Sequence, residues 1–490
     1  MLIGEKCDRL SPVCSRCERG RRDCVYPDMF DSAHRDQRVV AKASAETKWR
    51  QRVGNPSATQ TQPDRDGKPN FDPLLGAPHV GLRDNLHDLA YQRFVYDFLT
   101  PSGFHSPAKG TFSRLDTLYS RAPPDSCLFC AVTAVSYANF YGRLKSEEAR
   151  LASGVYYGKT LQKLTALMDT NPTGFTGDGI LVVMLVLGLY ETLASTRRDG
   201  TWITHMRGTQ SIIASRDKSS NEGNGIVASL CLHLLVYYIS ERVSPPLYFH
   251  QWIAQVPPSF GNKATLSKYM AEVATRCAKL KEIDKMSGFL PQDSGLLDAA
   301  LSLDAQLQTW ASHMPESRSS TMLPVNPTEY PPWASELFSL PGAPKMTEAF
   351  SDPLAASDWN MYRATRIQLN LSLLASLDAF PQCADVFYAT RLKSRVLDNI
   401  YTLSSEITSS VPHLLLSTRE PTSSYPQSTE AIHGLRGWTV MWPVSIAFSC
   451  YRNGSIPDLD SQKEWLGTVL RFLRDSMGIG KAQAFLEAYG

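Results

Sequence analysis

The sequence predicts an all-α body over residues 85–490, preceded by a small cysteine-rich module and a polar linker. Two observations predict the body: apolar residues recur there at spacings of three and four, and convincing alternating strands are absent. A third observation sets the module apart, because four of the ten cysteines fall within the first 24 positions. We therefore divide the chain into a module at 1–27, a linker at 28–84 and one large multi-helix domain at 85–490.

The composition excludes several classes of protein. The 490 residues are 43% hydrophobic and 20% charged, which describes a globular chain and excludes a disordered or collagen-like one. The longest uncharged apolar run, Gly179–Tyr190, is about half of the roughly 20 residues that a membrane-spanning helix needs. The N-terminus also lacks the pattern of a secretory signal. We therefore expect no membrane segment and a reducing compartment, where cysteines bind metals or fill cores before they form disulfides.

Charge is unevenly distributed along the chain. Residues 1–52 hold 12 Lys and Arg against 8 Asp and Glu, although the whole chain carries a net charge of only +2. A basic head on a nearly neutral body favours a polyanionic partner at that end. The alternative is a solvated, partly helical linker, and charge alone does not distinguish between the two.

Four cysteines near the N-terminus form the strongest candidate site in the sequence. Cys14 and Cys17 are separated by two residues, and Cys7 and Cys24 each lie beyond a further gap of six residues on either side. Zinc takes four ligands tetrahedrally and accepts thiolates, and a two-residue gap lets neighbouring thiolates reach one ion. Pro12 can set the turn that brings the second pair of ligands round. We therefore predict a zinc site with these four thiolates as ligands; a cluster of free surface thiols is the alternative.

The linker at 28–84 is predicted from its composition. Its central stretch, GNPSATQTQPDRDGKPN, has almost no apolar periodicity and is rich in Pro, Gly, Gln and Thr, which is typical of flexible, disordered chain. Its first half also contains six basic residues, at Arg35, Arg38, Lys42, Lys48, Arg50 and Arg52.

Apolar periodicity predicts twelve helices in the body. Helix signals agree with the assignments, since Asp125-Ser126 can cap the second helix and Asn171-Pro172 ends the third. The Pro- and Ser-rich stretch at 315–353 is predicted to be an exposed loop. The predicted helices span 85–99, 126–144, 146–169, 178–196, 201–216, 226–241, 264–285, 295–313, 358–379, 388–410, 436–452 and 460–477.

Other motifs in the body have plain structural explanations. Cys127 and Cys130 lie at helical spacing without nearby Cys or His partners, so we interpret them as buried core thiols, not as a redox or metal pair. The GVYYGKT segment at 154–160 is one residue short of a phosphate loop and lies inside an amphipathic helix. His205 is interpreted as a packing histidine. No GxSxG, HExxH or informative pair of carboxylates is present, so the sequence predicts a protein that is not an enzyme.

The cysteine-rich module resembles a known family. Lys6-Cys7-Asp8, Pro12, Cys14-x2-Cys17, Cys24 and Tyr26-Pro27 are similar to the second half of the module of fungal binuclear zinc-cluster transcription factors. The resemblance implies that the four cysteines are the third to sixth ligands of a six-cysteine pattern. It also implies DNA contacts, largely to phosphates, although generic surface charge is the alternative for each basic residue. The residues so implied are Lys6, Arg9, Arg16, Arg19, Arg21 and Arg22.

The first two cysteines of the family pattern are missing from this chain. In the family, six thiolates hold two zinc ions, and the DNA-recognition helix lies where this chain has MLIGEK, with Lys6 as its one basic residue. Four thiolates suffice for one tetrahedral ion, and we expect weak or absent DNA binding from the chain as it stands. One explanation is a start set downstream of the true one or a misjoined first exon, which we favour because the later ligands are intact. The other is a degenerate member of the family.

The body resembles the helical regulatory domain of the same fungal family. The likeness is carried by YETLASTRRDGTWITHMRGTQSIIASR, RGWTVMWPVSIAFSCYR and WLGTVLRFLRDSMGIGKAQAFLE. It implies a regulatory domain that controls activity or binds partners. Together the two resemblances imply a nuclear transcription regulator that binds double-stranded DNA at CGG-type half-sites, as a homodimer or with a related family member. They further imply an activator of a fungal metabolic or secondary-metabolite gene cluster. The alternative is a truncated member that acts as a protein-interaction or regulatory module without its own DNA binding.

Overall fold

The described part of the chain is predominantly helical. All of it belongs to the unit Pro78–Gly490. The predicted zinc module and most of the predicted linker lie outside the described residues. The computed structural model describes residues 80–99, 112, 115–170, 178–196, 201–215, 224–254, 262–285, 294–351, 353–379, 386–451 and 460–489.

These ranges contain sixteen α-helices and one two-stranded antiparallel sheet. The first helix continues into a π-helical turn, Val95–Leu99. The strands are β1 (Ser320–Pro324) and β2 (Met346–Phe350). The helices are α1 (Val80–Phe94), α2 (Leu115–Ser120), α3 (Cys127–Leu144), α4 (Glu147–Thr170), α5 (Asp178–Ala194), α6 (Thr201–Ser215), α7 (Asn224–Glu241), α8 (Leu247–Ala254), α9 (Asn262–Lys285), α10 (Ser294–Ser312), α11 (Pro332–Phe338), α12 (Pro353–Ala379), α13 (Val386–Leu416), α14 (Gly434–Cys450), α15 (Asp460–Asp475) and α16 (Lys481–Tyr489).

All twelve predicted helices are confirmed, and most of their ends lie within two residues of the prediction. The predicted cap of α3 is confirmed as well, since the hydroxyl of Ser126 accepts a hydrogen bond from the backbone N–H of Phe129 at 3.2 Å. Within the ranges that the structure describes, none of these helices combines the length and the apolar character that crossing a membrane requires.

The largest difference in a helix end is at α13. The prediction ends this helix at 410, but it continues through Pro412 to Leu416. Proline removes one hydrogen bond of the helix and normally ends it or bends it. Val411 and Leu415 on either side of the proline are fully buried, so tertiary packing stabilises the additional turn.

The prediction of an exposed loop at 315–353 is wrong. β1 and β2 pair antiparallel with Ser320 opposite Phe350, and α11 lies between them in sequence. The hydroxyl of Thr347 donates to the carbonyl oxygen of Ser409 at 3.1 Å, which attaches β2 to α13. Each strand has only five residues and shows no clear alternation of apolar and polar side chains. Contacts with a helix therefore stabilise the pair more than the sequence pattern of either strand does.

Four short helices also escaped prediction, namely α2, α8, α11 and α16. They are six to nine residues long. Apolar periodicity needs a window of about 11 residues or more to stand out, and helices of this length are marginal in water without tertiary contacts. Their formation therefore depends on packing against the long helices.

The helices share one hydrophobic core. Buried apolar side chains form a continuous cluster from Phe94 on α1 to Ala482 on α16. Every residue from Val440 to Cys450 of α14 is buried, and this helix contacts α12, α13, α15 and α16. A helix that is buried all round lies at the centre of a core. Side chains on α14 are therefore held in place by several neighbouring helices.

Candidate functional site

The residues predicted to bind zinc and DNA lie outside the described residues, and their roles stay predictions. Among the residues that the structure does describe, no group of three or more His, Cys, Asp or Glu is arranged to hold a metal ion. The predicted site residues concerned are the zinc ligands Cys7, Cys14, Cys17 and Cys24 and the DNA-contacting residues Lys6, Arg9, Arg16, Arg19, Arg21 and Arg22.

The five cysteines that the structure describes in the body behave largely as core thiols. Cys130, Cys231, Cys277 and Cys450 are buried, whereas Cys127 is half-buried, so the interpretation of the Cys127–Cys130 pair is confirmed fully only for its second member. Burial raises the pKa of Cys231 and Cys450 to about 12 and that of Cys277 to about 11. These thiols are therefore protonated at neutral pH, which makes them poor nucleophiles and poor metal ligands.

We expect these five described cysteines to resist alkylation while the protein is folded. Burial raises the pKa of the Cys127 thiol to about 11, so it should react roughly a hundredfold more slowly with iodoacetamide than a peptide thiol of pKa about 8.5. Cys231, Cys277 and Cys450 should react only after denaturant is added. Mass spectrometry of tryptic peptides over time measures each rate. Labelling of Cys231 as fast as that of a peptide thiol contradicts this prediction.

Two other motifs of the body are structural. The interpretation of His205 is confirmed: the residue is buried, with Nε2 2.8 Å from the hydroxyl of Tyr157. That hydroxyl donates to Oε1 of Glu191 at 2.6 Å, so the three side chains connect α4, α5 and α6. Gly154 and Gly158, in the segment that resembles a phosphate loop, lie in the interior of α4. Their backbone N–H groups are part of the helix and cannot surround a phosphate.

A cavity of about 540 Å³ lies between seven helices of the body: α5, α6, α7, α9, α12, α14 and α16. Leu232, Val236 and Ser240 of α7 line it at intervals of one turn, so α7 presents one face to the cavity. Trp438, Trp442 and Ile446 do the same on α14. Small-molecule sites in proteins typically measure about 300–1,000 Å³. The cavity therefore has the size of a ligand site.

Aromatic rings form one wall of this cavity. Trp438 and Trp442 of α14 and Phe485 of α16 all line it. His233 of α7 packs against Trp438 with the ring centroids 5.2 Å apart. Nε1 of Trp442 donates to the hydroxyl of Ser240 at 3.1 Å, which satisfies the polar atom of that indole. The wall consequently presents mainly ring surfaces.

Four methionines also line the cavity. Met206, Met270, Met361 and Met441 approach the cavity from α6, α9, α12 and α14. A thioether is polarisable, and an unbranched side chain changes rotamer at low cost, so methionines adapt to the shape of a neighbouring group. The lining is therefore both apolar and adaptable.

The lining contains charged residues of both signs. Lys481 of α16 contributes a cation and Glu241 of α7 an anion. The third charged residue, Asp358 of α12, is buried with its Oδ2 2.6 Å from Nη1 of Arg318. A carboxylate that is already ion-paired offers little attraction to a charged ligand. The cavity has no excess of charge of either sign.

Pro443 provides the wall with a backbone acceptor. A proline inside a helix has no N–H, so the carbonyl of Thr439, four residues earlier, lacks its usual helical donor. Thr439 and Pro443 both line the cavity, which places this carbonyl on the lining face of α14. The hydroxyl of Thr439 donates to the carbonyl of Arg436 at 2.9 Å and is already engaged. A ligand hydroxyl or N–H therefore has a backbone acceptor at this wall.

The sequence contains little that predicts this cavity. Its residues are spread from Gly188 to Phe485, and no local motif gathers them. The one local signal is WTVMWPVSI at 438–446, where a proline interrupts an apolar helical pattern between tryptophan and isoleucine. A residue that breaks a local rule inside an element often marks a functional position.

Comparison with known proteins identifies the helical body. Residues 90–350 match a family model described as the fungal specific transcription factor domain. The matched span is more than half of the 490 residues and includes the parts of α5, α6, α7 and α9 that line the cavity. No curated protein and no solved structure matches the chain. The family match confirms the resemblance to fungal transcription factors over residues 90–350, and the chain belongs to the family that carries the fungal-specific transcription factor domain.

Proposed function

We propose that this chain is a zinc-dependent, DNA-binding transcription regulator that acts in the nucleus and activates a metabolic or secondary-metabolite gene cluster. The observation that carries the proposal is the occurrence, in one chain, of the family match at 90–350 and the four cysteines spaced as zinc ligands. The family match supports regulation of transcription. The cysteine spacing supports a small module that folds around a metal ion.

The zinc module would act mainly through phosphate contacts. Zinc would supply the fold of the module, because the thiolates of Cys7, Cys14, Cys17 and Cys24 on one ion would hold the basic segment between them in a fixed conformation. Arg and Lys side chains on that segment neutralise phosphates, which gives affinity that depends on salt but little on sequence. Base readout needs donors aimed at the major groove. A second copy or a related family member bound to the adjacent half-site would add such contacts.

The test is zinc-dependent binding of the full chain to a duplex with CGG half-sites, measured by fluorescence anisotropy together with the zinc content. We expect about one zinc ion per chain and weak DNA binding at low salt that chelator abolishes and higher salt weakens, because the stretch MLIGEK offers one basic residue for the major groove. The double variant Cys14→Ser/Cys17→Ser should lose zinc and lose at least about tenfold in DNA affinity, because two of four ligands are gone. Cys127→Ser, the same substitution in the body, should retain both.

Two results contradict the proposal. One is a double variant that retains its zinc, and the other is DNA binding that ignores both chelator and salt. A chain that holds zinc but binds no duplex at low salt supports the alternative function instead.

An exposed apolar face on α4 favours that alternative, a protein-interaction module without DNA binding of its own. Leu151 and Val155 lie one turn apart and are 61% and 57% exposed. Beside them, a Cβ placed on Gly154 or Gly158 would meet no atom outside the helix within 4 Å, so the surface there is open. Exposed apolar patches often mark protein contacts. Under this alternative, occupancy of chromatin should vanish when a full-length partner is deleted.

A further inference from the structure

The cavity between α7 and α14 is larger than close packing leaves inside a protein. Protein interiors contain few voids larger than a water molecule, whereas this cavity measures about 540 Å³. Its lining is mainly apolar and offers water few hydrogen-bond partners. An apolar occupant of matching shape would therefore gain packing contacts and release that water.

The walls favour an aromatic occupant. Trp438, Trp442 and Phe485 supply ring surfaces, and aromatic pairs gain energy beyond simple area burial when their rings lie about 4.5–7 Å apart. Met206 and Met361 lie among the other lining residues, and thioethers also make favourable contacts with rings. A flat ring system can thus contact π surfaces and thioethers at the same time.

The charges of the lining favour an uncharged occupant. Lys481 and Glu241 carry opposite charges, and Asp358 is paired with Arg318 at 2.6 Å. Burying a charge is costly unless an opposite charge or several hydrogen bonds compensate for it. An ionic ligand would find no such excess here.

The kinked wall of α14 adds one polar requirement. The carbonyl of Thr439 lacks its usual donor because the residue four positions later is Pro443, and both residues line the cavity. A hydrogen-bond donor on the occupant would satisfy this oxygen, whereas an occupant without a donor would cover it unsatisfied.

We infer that the cavity binds an uncharged, mainly aromatic small molecule that donates a hydrogen bond to the backbone carbonyl of Thr439. The site belongs to the helical body and uses no residue of the zinc module. Ligand binding and zinc-dependent DNA binding are therefore separate properties, and either one can fail without the other.

Two fluorescent probes that share one skeleton test the chemical class of the ligand. N-phenyl-1-naphthylamine is uncharged, and 8-anilinonaphthalene-1-sulfonate adds one sulfonate to it; both become brighter in apolar surroundings. In titrations of the full chain, we expect the uncharged probe to saturate at one site per chain and the sulfonate to bind at least about tenfold more weakly. Absence of saturable binding, or equal affinity for the two probes, overturns the inference.

A matched pair of substitutions locates the probe. Val236→Trp enlarges a side chain that lines the cavity and should weaken binding of the uncharged probe at least about tenfold, because the new indole takes up its space. Val155→Trp makes the same change on the open face of α4 and should leave the affinity unchanged. Circular dichroism compares the folding of both variants, and Val236→Phe repeats the test with a smaller side chain. Unchanged affinity in both Val236 variants overturns the inference.

A second pair of substitutions tests the hydrogen bond. The full chain should prefer N-phenyl-1-naphthylamine over its N-methyl analogue, which has no N–H, by about three- to tenfold. Pro443→Ala returns a backbone N–H to the carbonyl of Thr439 and should abolish that preference. Pro412→Ala replaces a helical proline of α13 that does not line the cavity, and the preference should survive. A preference that persists in Pro443→Ala overturns the assignment of the acceptor.

Discussion

Asp97→Ala is expected to lower the free energy of unfolding of the helical body by about 3–5 kcal/mol. Asp97 lies in the π-helical turn after α1 and is 1% exposed. Its carboxylate accepts two hydrogen bonds from Arg93, at 2.7 and 2.9 Å, and one from the side-chain amide of Asn139 at 2.8 Å. A further bond comes from the backbone N–H of Gly434 at 2.8 Å. Alanine would leave these donors unsatisfied where water has little access.

Arg143 increases the expected cost. Its side chain is fully buried with Nη2 3.4 Å from Oδ1 of Asp97, and it also donates to the backbone carbonyls of Ile432 and Ser476. Burial lowers the pKa of Arg143, and the charge of Asp97 opposes that shift. Without the carboxylate of Asp97, the guanidinium would remain buried with only the smaller attraction of Glu430 to offset its charge. Removing one partner of a buried ion pair is therefore far more damaging than removing an exposed one.

Urea unfolding of the full chain, followed by circular dichroism, measures the loss. Asp378→Ala is the matched control, because Asp378 forms an ion pair with Lys393 at 2.5 Å in which both side chains are exposed. We expect this control to lose less than about 1 kcal/mol. Equal losses in the two variants would show that the buried cluster around Asp97 does not stabilise the body.

The contacts of Asp97 and Arg143 also show that the folded unit extends beyond the matched span. Asp97 and Arg143 lie within the matched span 90–350, whereas their partners Gly434 and Ser476 lie beyond its end. The hydrophobic core likewise continues to Ala482. The helices that follow the matched span therefore complete the same core, and a fragment that stops at residue 350 would lack the partners Gly434 and Ser476 and leave Asp97 and Arg143 without them.

The long helices could be predicted from sequence because their signals are local. α3 shows this most clearly: Ser126 is a capping residue by its own side chain, and a long run of apolar and small residues follows it directly in the sequence. The two-stranded sheet could not be predicted in this way, since β2 depends on contacts with α13 such as that between Thr347 and Ser409. The continuation of α13 through Pro412 likewise depends on packing that local propensity does not contain.

The two candidate sites differ in the same respect. The zinc ligands are predicted from the spacing of four cysteines within one short segment, which the sequence alone shows. Their role stays a prediction. The cavity depends on residues far apart in the chain, for example His233 against Trp438 and Ser240 against Trp442. These pairs come together only because α7 and α14 both line the cavity. The sequence shows Pro443 inside an apolar helical pattern. Its effect on the carbonyl of Thr439 follows only from the observed helix, in which the two residues are four positions apart.

Gly478→Ala is expected to lower the free energy of unfolding by about 2–5 kcal/mol. Gly478 lies in the turn between α15 and α16 with a φ of +71°, a conformation that disfavours any side chain. A Cβ on this residue would lie 2.6 Å from the carbonyl carbon of Gly142 on α3. The two backbones are thus in contact, and neither can move aside as a flexible side chain would.

Gly154→Ala is the matched control for this prediction and should shift stability in the opposite direction. Gly154 lies in the middle of α4 and is exposed to solvent, and a Cβ added there meets no atom outside the helix within 4 Å. Alanine there should raise the free energy of unfolding by about 0.5–1 kcal/mol, because glycine loses more backbone entropy on folding. Urea unfolding of the two variants measures both shifts, and two shifts of the same sign contradict the close approach of α3 to the turn.

The turn at Gly478 also connects stability to the cavity. Gly480 donates its backbone N–H to the carbonyl of Leu193 at 3.0 Å, which holds the start of α16 against the end of α5. Lys481 and Phe485 of α16 line the cavity on that side. A turn displaced by Gly478→Ala should therefore weaken binding of N-phenyl-1-naphthylamine under conditions where the chain is still folded, whereas Gly154→Ala should leave it unchanged. Unaltered probe affinity in folded Gly478→Ala would show that α16 keeps its position without this turn.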